Sequence, residues 1–453
     1  MKVKSEIRYL QLIAFHILVG LTIYVAGFTS KLYLLGVVGF FLIRIFYTNN
    51  KNEQALIAAG YITGFEVFSR MTGGALTYEF AKYAVIMFLL IGMFYRGLNR
   101  KSWPYAIYIL FLIPGILFSA INLNYGSNIA NAIGFNLSGP VALGMAALYC
   151  YNRKISMQQL QQILLAVLLP IISMTVYLYL YTPSIRDVVT GTQSNFAASG
   201  GFGPNQVSTI LGLGTLILFS RLLLIRGKFI NLIDLSLLAF IFYRAVVTFS
   251  RGGVITAGVC AALFLLVYFI KAPPIRKATL IPKVSVIGGV AIIVWIFTSL
   301  STSGLIDKRY ANQDAAGREK ADLTTGRAEL LNEELEAFYE NPLTGIGIGK
   351  AKEYRLEKTG RRSASHNELS RILSEHGVFG LFALGILMFT PLIFRLTNKS
   401  NLYLFTFVTF WFLTINHSSM RIAAPAFIYG LALISIVREA KKKQPALHRK
   451  SIK

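Results

Sequence analysis

Fourteen predominantly apolar runs follow one another along this chain, near 9–28, 31–47, 54–70, 79–95, 104–121, 129–150, 160–182, 205–225, 229–249, 252–270, 281–300, 377–395, 401–416 and 422–437. Most are long enough to cross roughly 30 Å of hydrocarbon as a helix. Within a bilayer every backbone N–H and C=O must find its partner inside the protein, so runs of this kind fold as helices. With 55% hydrophobic and 14% charged residues among 453, the chain lies far from soluble composition, where about a quarter of residues are charged. An all-α polytopic membrane protein of 12–14 transmembrane helices is expected.

The net charge of +25 would suggest nucleic acid in a soluble protein. Here the cations mostly flank apolar runs and act as topology signals and contacts to anionic membrane lipids, so no nucleic-acid partner is expected. With the N-terminus inside, 26 of the 45 Lys and Arg fall on the inner side and 19 on the outer, 12 of the latter within 301–376. A loop that long escapes the positive-inside rule, so the comparison that counts is 26 against 7, and both termini are cytoplasmic. Lys2, Lys4 and Arg8 precede an apolar run without a clear cleavage site, which reads as a retained first span. Cys150 and Cys260 are far apart and lack metal spacing, so neither a disulfide framework nor a metal site is expected. No 20–50-residue repeat is visible, which excludes solenoids.

The organisation expected is a transmembrane bundle over 1–300 with about eleven spans, a long outward-facing loop over 301–376, the last three spans over 377–437, and a basic cytoplasmic tail over 438–453 with Lys441, Lys442 and Lys443. In the loop, Leu331, Leu335 and Phe338 share one helical face and Glu329, Glu333, Glu336 and Glu340 the other, predicting an amphipathic helix over 328–340, capped by Thr324 or Thr325. Gly345-Ile-Gly-Ile-Gly-Lys350 lacks P-loop spacing and reads as a tight turn. Ser365-His366-Asn367-Glu368 has the form of a capping box, which would put His366 at the first position of a helix. The dipole there disfavours a protonated ring, so His366 is a candidate general base.

Four arginines fall at the same outer face. Arg244 and Arg251 are seven residues apart, Arg327 opens the loop helix, and Arg421 ends the turn Asn416-His-Ser-Ser-Met-Arg421. Asn205 follows Ser199-Gly-Gly-Phe-Gly-Pro204 and opens another helix. Fixed guanidiniums beside a neutral imidazole suit a lipid-linked sugar diphosphate, because pyrophosphate takes forked, permanently charged donors and its release builds charge that they stabilise.

Four motifs carry a family resemblance: Ser250-Arg251-Gly252, Thr325-Gly326-Arg327, Asn341-Pro342-Leu343-Thr-Gly345-Ile-Gly347-Ile-Gly349, and His366-Asn367 followed by Glu375-His-Gly377-Val-Phe-Gly380-Leu381. In order and topology they resemble the O-antigen ligase and polymerase superfamily over roughly 200–437. The resemblance implies a GT-C-like bundle of about twelve spans in the bacterial inner membrane. It also implies inverting glycosyl transfer, without metal or other cofactor, from undecaprenyl-pyrophosphate-linked glycan at the periplasmic face. It assigns Arg251 and Arg327 to the pyrophosphate and His366 to the base; Asn205, Arg244, Asn367 and Arg421 are further substrate contacts expected from their positions. The leading expectation is a ligase that moves the glycan onto a lipid A–core hydroxyl. A polysaccharide polymerase and a protein O-oligosaccharyltransferase share that chemistry, and a flippase is the non-enzymatic alternative. Transporters gather binding groups near the midplane, whereas these groups gather at one face.

Overall fold

The computed structural model describes residues 2–437 apart from Tyr125, Ser127, Arg226, 321–325 and 361–362. The expected caps Thr324 and Thr325, and the basic tail from Arg438, lie outside the described residues. Every one of the fourteen apolar runs contains a helix, and the last also holds a short strand. The first eleven are α1 (Lys2–Val25), α2 (Thr29–Thr48), α3 (Gln54–Met71), α4 (Phe80–Arg96), α5 (Trp103–Asn122), α6 (Ile129–Cys150), α7 (Met157–Tyr181), α8 (Pro204–Leu224), α9 (Lys228–Val246), α10 (Arg251–Lys271) and α11 (Pro274–Ser301). Three helices of the polar interval follow, α12 (Leu305–Tyr310), α13 (Arg327–Glu340) and α14 (Ala351–Thr359); α15 (Glu368–Thr397), α16 (Leu404–Ser418) and α17 (Ala424–Ala432) complete the bundle. The one sheet among the described residues is a parallel pair, β1 (Lys154–Ser156) and β2 (Ser435–Val437), with Lys154 opposite Ser435. The protein is an all-α polytopic membrane protein.

Among the described residues ten helices are long and apolar enough to cross a bilayer; of the fourteen runs, those of α3, α4, α16 and α17 are the other four. The last three have 17, 15 and 9 residues, and α3 carries Glu66 and Arg70. Almost all of α3 and all of α17 are buried. Short or polar helices are tolerated at membrane depth when protein rather than lipid surrounds them.

Small residues bring the inner helices together. A side chain at Gly20 would strike the Ser173 carbonyl, one at Gly212 the Gly253 carbonyl, and one at Gly430 Ala146. In lipid, where no hydrophobic force drives helices together, such close backbone contact is a main source of cohesion.

The segment 341–350 is stitched across α5, α6 and the start of α15. Ile346 N donates to Ser374 O (2.8 Å), Gly347 N to Glu375 O (3.2 Å), Ile348 N to Gly115 O (3.3 Å) and Gly349 N to Glu375 Oε1 (2.9 Å). Gly345, Gly347 and Gly349 all have positive φ, a region open to glycine at little cost. At Gly377 (φ 60°, ψ −136°) α15 kinks, where Val378 N reaches Pro342 O at 2.8 Å. The turn predicted at 345–349 is therefore a fixed strap.

The α13 helix differs from its predicted amphipathic face. Its most buried side chains are Glu334 and Ala337, while Leu331, Leu335 and Phe338 are half-buried. The cause is a charged partner: Glu334 pairs with Arg355 of α14 and accepts from the Ser370 hydroxyl of α15.

Gly347→Ala introduces a Cβ 2.7 Å from Ser119 N at φ +91°. Destabilisation of about 1–3 kcal/mol is expected, seen as a lowered unfolding midpoint in detergent and faster proteolysis within 301–376. An unchanged midpoint would contradict the strap.

Candidate functional site

The site is built where the turn between α9 and α10 meets the polar interval. Phe249 sits at φ 57° and breaks the helix, so Arg244 and Arg251 do not share a continuous face. Ser250 Oγ donates to Asn205 Oδ1 (2.7 Å) and Ser208 Oγ donates to Ser250 O (2.8 Å). Gly252 abuts the His417 ring and Gly253 the Ser208 backbone, so neither position accepts a side chain. This contact fixes where α10 starts, and its first residue is Arg251. The α13 helix likewise starts on an arginine, Arg327, after Gly326 at φ 78°. A cation at a helix N-terminus adds to the positive dipole end, and both favour an anion.

Arg251 and Arg309 are linked through backbone. Arg251 Nη1 donates to Arg309 O (3.5 Å), and Arg309 Nε donates to Phe249 O (3.0 Å). Across the site, Arg421 Nη2 donates to Ser365 O at 2.6 Å, which ties the α16–α17 turn to the residue before His366. Behind Arg421, Arg70 donates to Arg421 O (3.0 Å), pairs with Glu66 (2.5 Å) and lies over the Tyr78 ring (4.0 Å).

The capping box takes a different form from the one predicted. The cap of α15 is Asn367, whose Oδ1 accepts from Leu369 N (2.8 Å), while Ser365 Oγ donates to Asn367 O (2.9 Å). Glu368 is withdrawn from capping: it accepts from Met420 N (3.1 Å) and pairs with Arg371. His366 therefore precedes the cap instead of occupying the first helical position. Its Nδ1 is buried and has no hydrogen-bond partner among the described residues.

What keeps His366 neutral is thus chiefly burial, followed by the field of Arg421, Arg327, Arg355 and His417; together they push its pKa down to about 4. The cations also act on one another. Burial, then Arg251 and Arg421, lower the pKa of Arg327; burial, then Arg251 and Arg327, lower that of Arg309. Among the described residues none of Arg251, Arg309, Arg327 and Arg421 forms an ion pair with a carboxylate. Other arginines nearby do: Arg355 pairs with Glu333 (3.2 Å) and Glu334, and Arg371 with Glu368 and Glu375 (2.8 Å).

Of the residues anticipated from sequence, Arg251, Arg327, Arg421 and His366 come together. Asn205 stands beside Arg251 with its carbonyl taken by Ser250, and Asn367 is occupied as a cap and by Asn416 (Nδ2 to Oδ1, 3.2 Å). Arg244 does not join them. It is 1% exposed, donates to Ala198 O (3.0 Å) and Thr182 O (3.4 Å), and faces the Tyr179 ring (5.2 Å); it holds the 182–198 segment onto the bundle. Sequence reasoning missed Arg309, one of several loop cations with nothing local to distinguish it. It also missed His417, whose Nε2 lies 3.3 Å from Thr209 Oγ1 and which stands in the last turn of α16, four residues before Arg421.

Removing Arg355, 1% exposed, would strand the Glu334 carboxylate. Arg355→Met is expected to destabilise by about 3–5 kcal/mol, read by denaturant unfolding in detergent. Adding Glu334→Leu should recover much of the loss. Equal stability of Arg355→Met and wild type would refute the pair's role in docking α13.

The family model described as O-antigen ligase matches residues 236–385. That stretch runs from within α9 into α15 and contains Arg251, Arg309, Arg327 and His366; Asn205 and Arg421 fall outside it. No curated protein matches the chain, and no solved structure does. Over residues 236–385, about a third of its length, the chain is similar to the O-antigen ligase family.

Proposed function

We propose that this protein is an O-antigen ligase-type glycosyltransferase. In this reading it moves a glycan from undecaprenyl pyrophosphate to a hydroxyl of a lipid A–core acceptor at the periplasmic face of the inner membrane. The observation that carries the proposal is a group of arginines without carboxylate partners among the described residues, beside a neutral, partly buried histidine at one end of a membrane bundle. Cations left uncompensated in a half-buried site favour a multivalent anion, and forked donors match pyrophosphate oxygens.

In the proposed reaction the acceptor oxygen attacks the anomeric carbon as the bond from that carbon to the pyrophosphate oxygen breaks. The bonding pair leaves with the pyrophosphate, and His366 takes the acceptor proton. Arg251 and Arg327, with Arg309 and Arg421 behind them, stabilise the charge that develops on the leaving oxygen. Fixed guanidiniums supply that charge without a metal ion, so transfer is expected to persist in EDTA. Attack from the face opposite the leaving group inverts the anomeric centre.

A base with a pKa of about 4 is weak for neutral pH, where the best general base titrates near the working pH. The bound donor corrects this. Pyrophosphate offsets the arginine field that helps hold the imidazole down, so donor binding should raise the His366 pKa, by about 1–3 pH units for an opposing charge at close range. The base would then gain strength once the donor is in place.

Reconstitution with a defined lipid-linked donor and several acceptors tests the reading. His366→Ala is expected to lose about 10²–10⁴-fold in transfer, and Arg251→Lys or Arg327→Lys about 10²–10³-fold; wild-type rates in these variants would refute the assignments. Titration of labelled His366 by NMR should show its pKa rising when donor is added. Wild-type transfer should fall as pH drops through that raised value, because protonation removes the base; a rate that holds as the ring protonates would contradict its role.

A further inference from the structure

The second feature lies away from the arginines, outside the stretch matched by the family. Helices α1 and α2 are joined by a tight turn, Thr29 N to Ala26 O at 3.0 Å, and then separate. The α1 helix settles on α7, where Ser173 Oγ donates to His16 O (2.7 Å), while α2 settles on α3. Between them lies a groove of about 1420 Å³, larger than the roughly 300–1,000 Å³ usual for small-molecule sites.

The groove has a chemical direction. Arg8 and Arg44 stand at one end with the amides of Asn52, Gln54, Gln158 and Gln162. These belong to the early turns of α1 and α7, the last turns of α2 and the start of α3, and so to the face opposite the arginine–histidine cluster. The groove's lining contains no Asp or Glu. From Arg8 to Thr22 it follows α1 for about 21 Å at 1.5 Å per residue, more than half the hydrocarbon thickness. Its walls there are apolar, with Leu12, Phe15, Val19, Phe40 and Leu165 among them. The polar groups at mid-depth satisfy one another: His16 Nδ1 is bonded to Leu12 O (2.7 Å), His16 Nε2 to Tyr61 Oη (2.8 Å), and Tyr61 to Tyr33. They need nothing from an occupant.

We propose that this groove is a binding site for an anionic glycerophospholipid, with the headgroup phosphate at Arg8 and Arg44 and acyl chains along the α1–α2–α7 wall. Charge complementarity and an apolar channel long enough for an acyl chain define the ligand class. The buried α3 helix separates the groove from the arginine–histidine cluster, so the lipid differs from the proposed donor in both place and role.

Gly36 faces the groove with open space around it, so Gly36→Trp should fill the groove without displacing a helix. The full-length protein is purified in mild detergent, and lipid retention is measured by native mass spectrometry with phosphatidylglycerol, phosphatidylcholine of the same chains, and polyprenyl phosphate as probes. Wild type should retain phosphatidylglycerol on the order of tenfold over phosphatidylcholine. Arg8→Ala/Arg44→Ala should erase that preference, and Gly36→Trp should abolish retention while the unfolding midpoint stays put. Equal retention of the two phospholipids by wild type, an undiminished preference in the double variant, or stronger binding of polyprenyl phosphate would overturn the proposal. If Gly36→Trp fails to fold, the double variant decides alone.

Discussion

Uncompensated positive charge at one end of the bundle is the constraint on which the rest of the structure turns. The buried and half-buried arginines differ in what satisfies them, and Arg244, although held by carbonyls, stands apart from the cluster. Arg221, Arg355 and Arg371 pair with carboxylates and serve packing. Arg251, Arg309 and Arg421 donate to backbone carbonyls of Arg309, Phe249 and Ser365. A carbonyl satisfies the donor without cancelling the charge, so these guanidiniums avoid the penalty of unmade hydrogen bonds and keep their field uncancelled. Each also ties one segment to another, which lets like charges be held close despite their repulsion.

The apolar architecture serves this arrangement. Close helix contacts at Gly212 and Gly253 set the start of α10, and with it Arg251. The glycine strap at 345–349 and the kink at Gly377 lock the start of α15 against α5, so the residues leading into it, His366 among them, are held on a packed framework. Glu66, buried in α3, accepts from Ala423 N at 2.5 Å while pairing with Arg70, which steadies the turn bearing Arg421. Precise chemistry requires such support, because a group on a loose loop spends little time in the reactive geometry.

The helices were legible because hydropathy reports directly on what a bilayer permits; each of the fourteen apolar runs contains a helix. Their membrane depth was less legible, since protein covers α3 and α17, which lets α3 carry Glu66 and Arg70 and α17 stop at nine residues. The gathering of Arg251, Arg327, Arg421 and His366 could be read from topology, which brings alternate helix ends to one face. The failures came from competition among neighbours. Asn367 outcompeted Ser365 for the cap because Glu368 was claimed by Arg371 and Met420. Arg244 has the sequence setting of the cluster arginines, but its carbonyl partners hold it elsewhere. Arg309 and Glu334 owe their roles to contacts across long sequence separations, which local pattern cannot report.

The most direct test of the central claim is a cryo-EM map of the protein in a lipid nanodisc with an intact polyprenyl-pyrophosphate-linked glycan. Pyrophosphate density between Arg251, Arg309, Arg327 and Arg421, with the first sugar facing His366, is the predicted result. Density for the pyrophosphate at any other place, with these side chains left facing solvent, would contradict it.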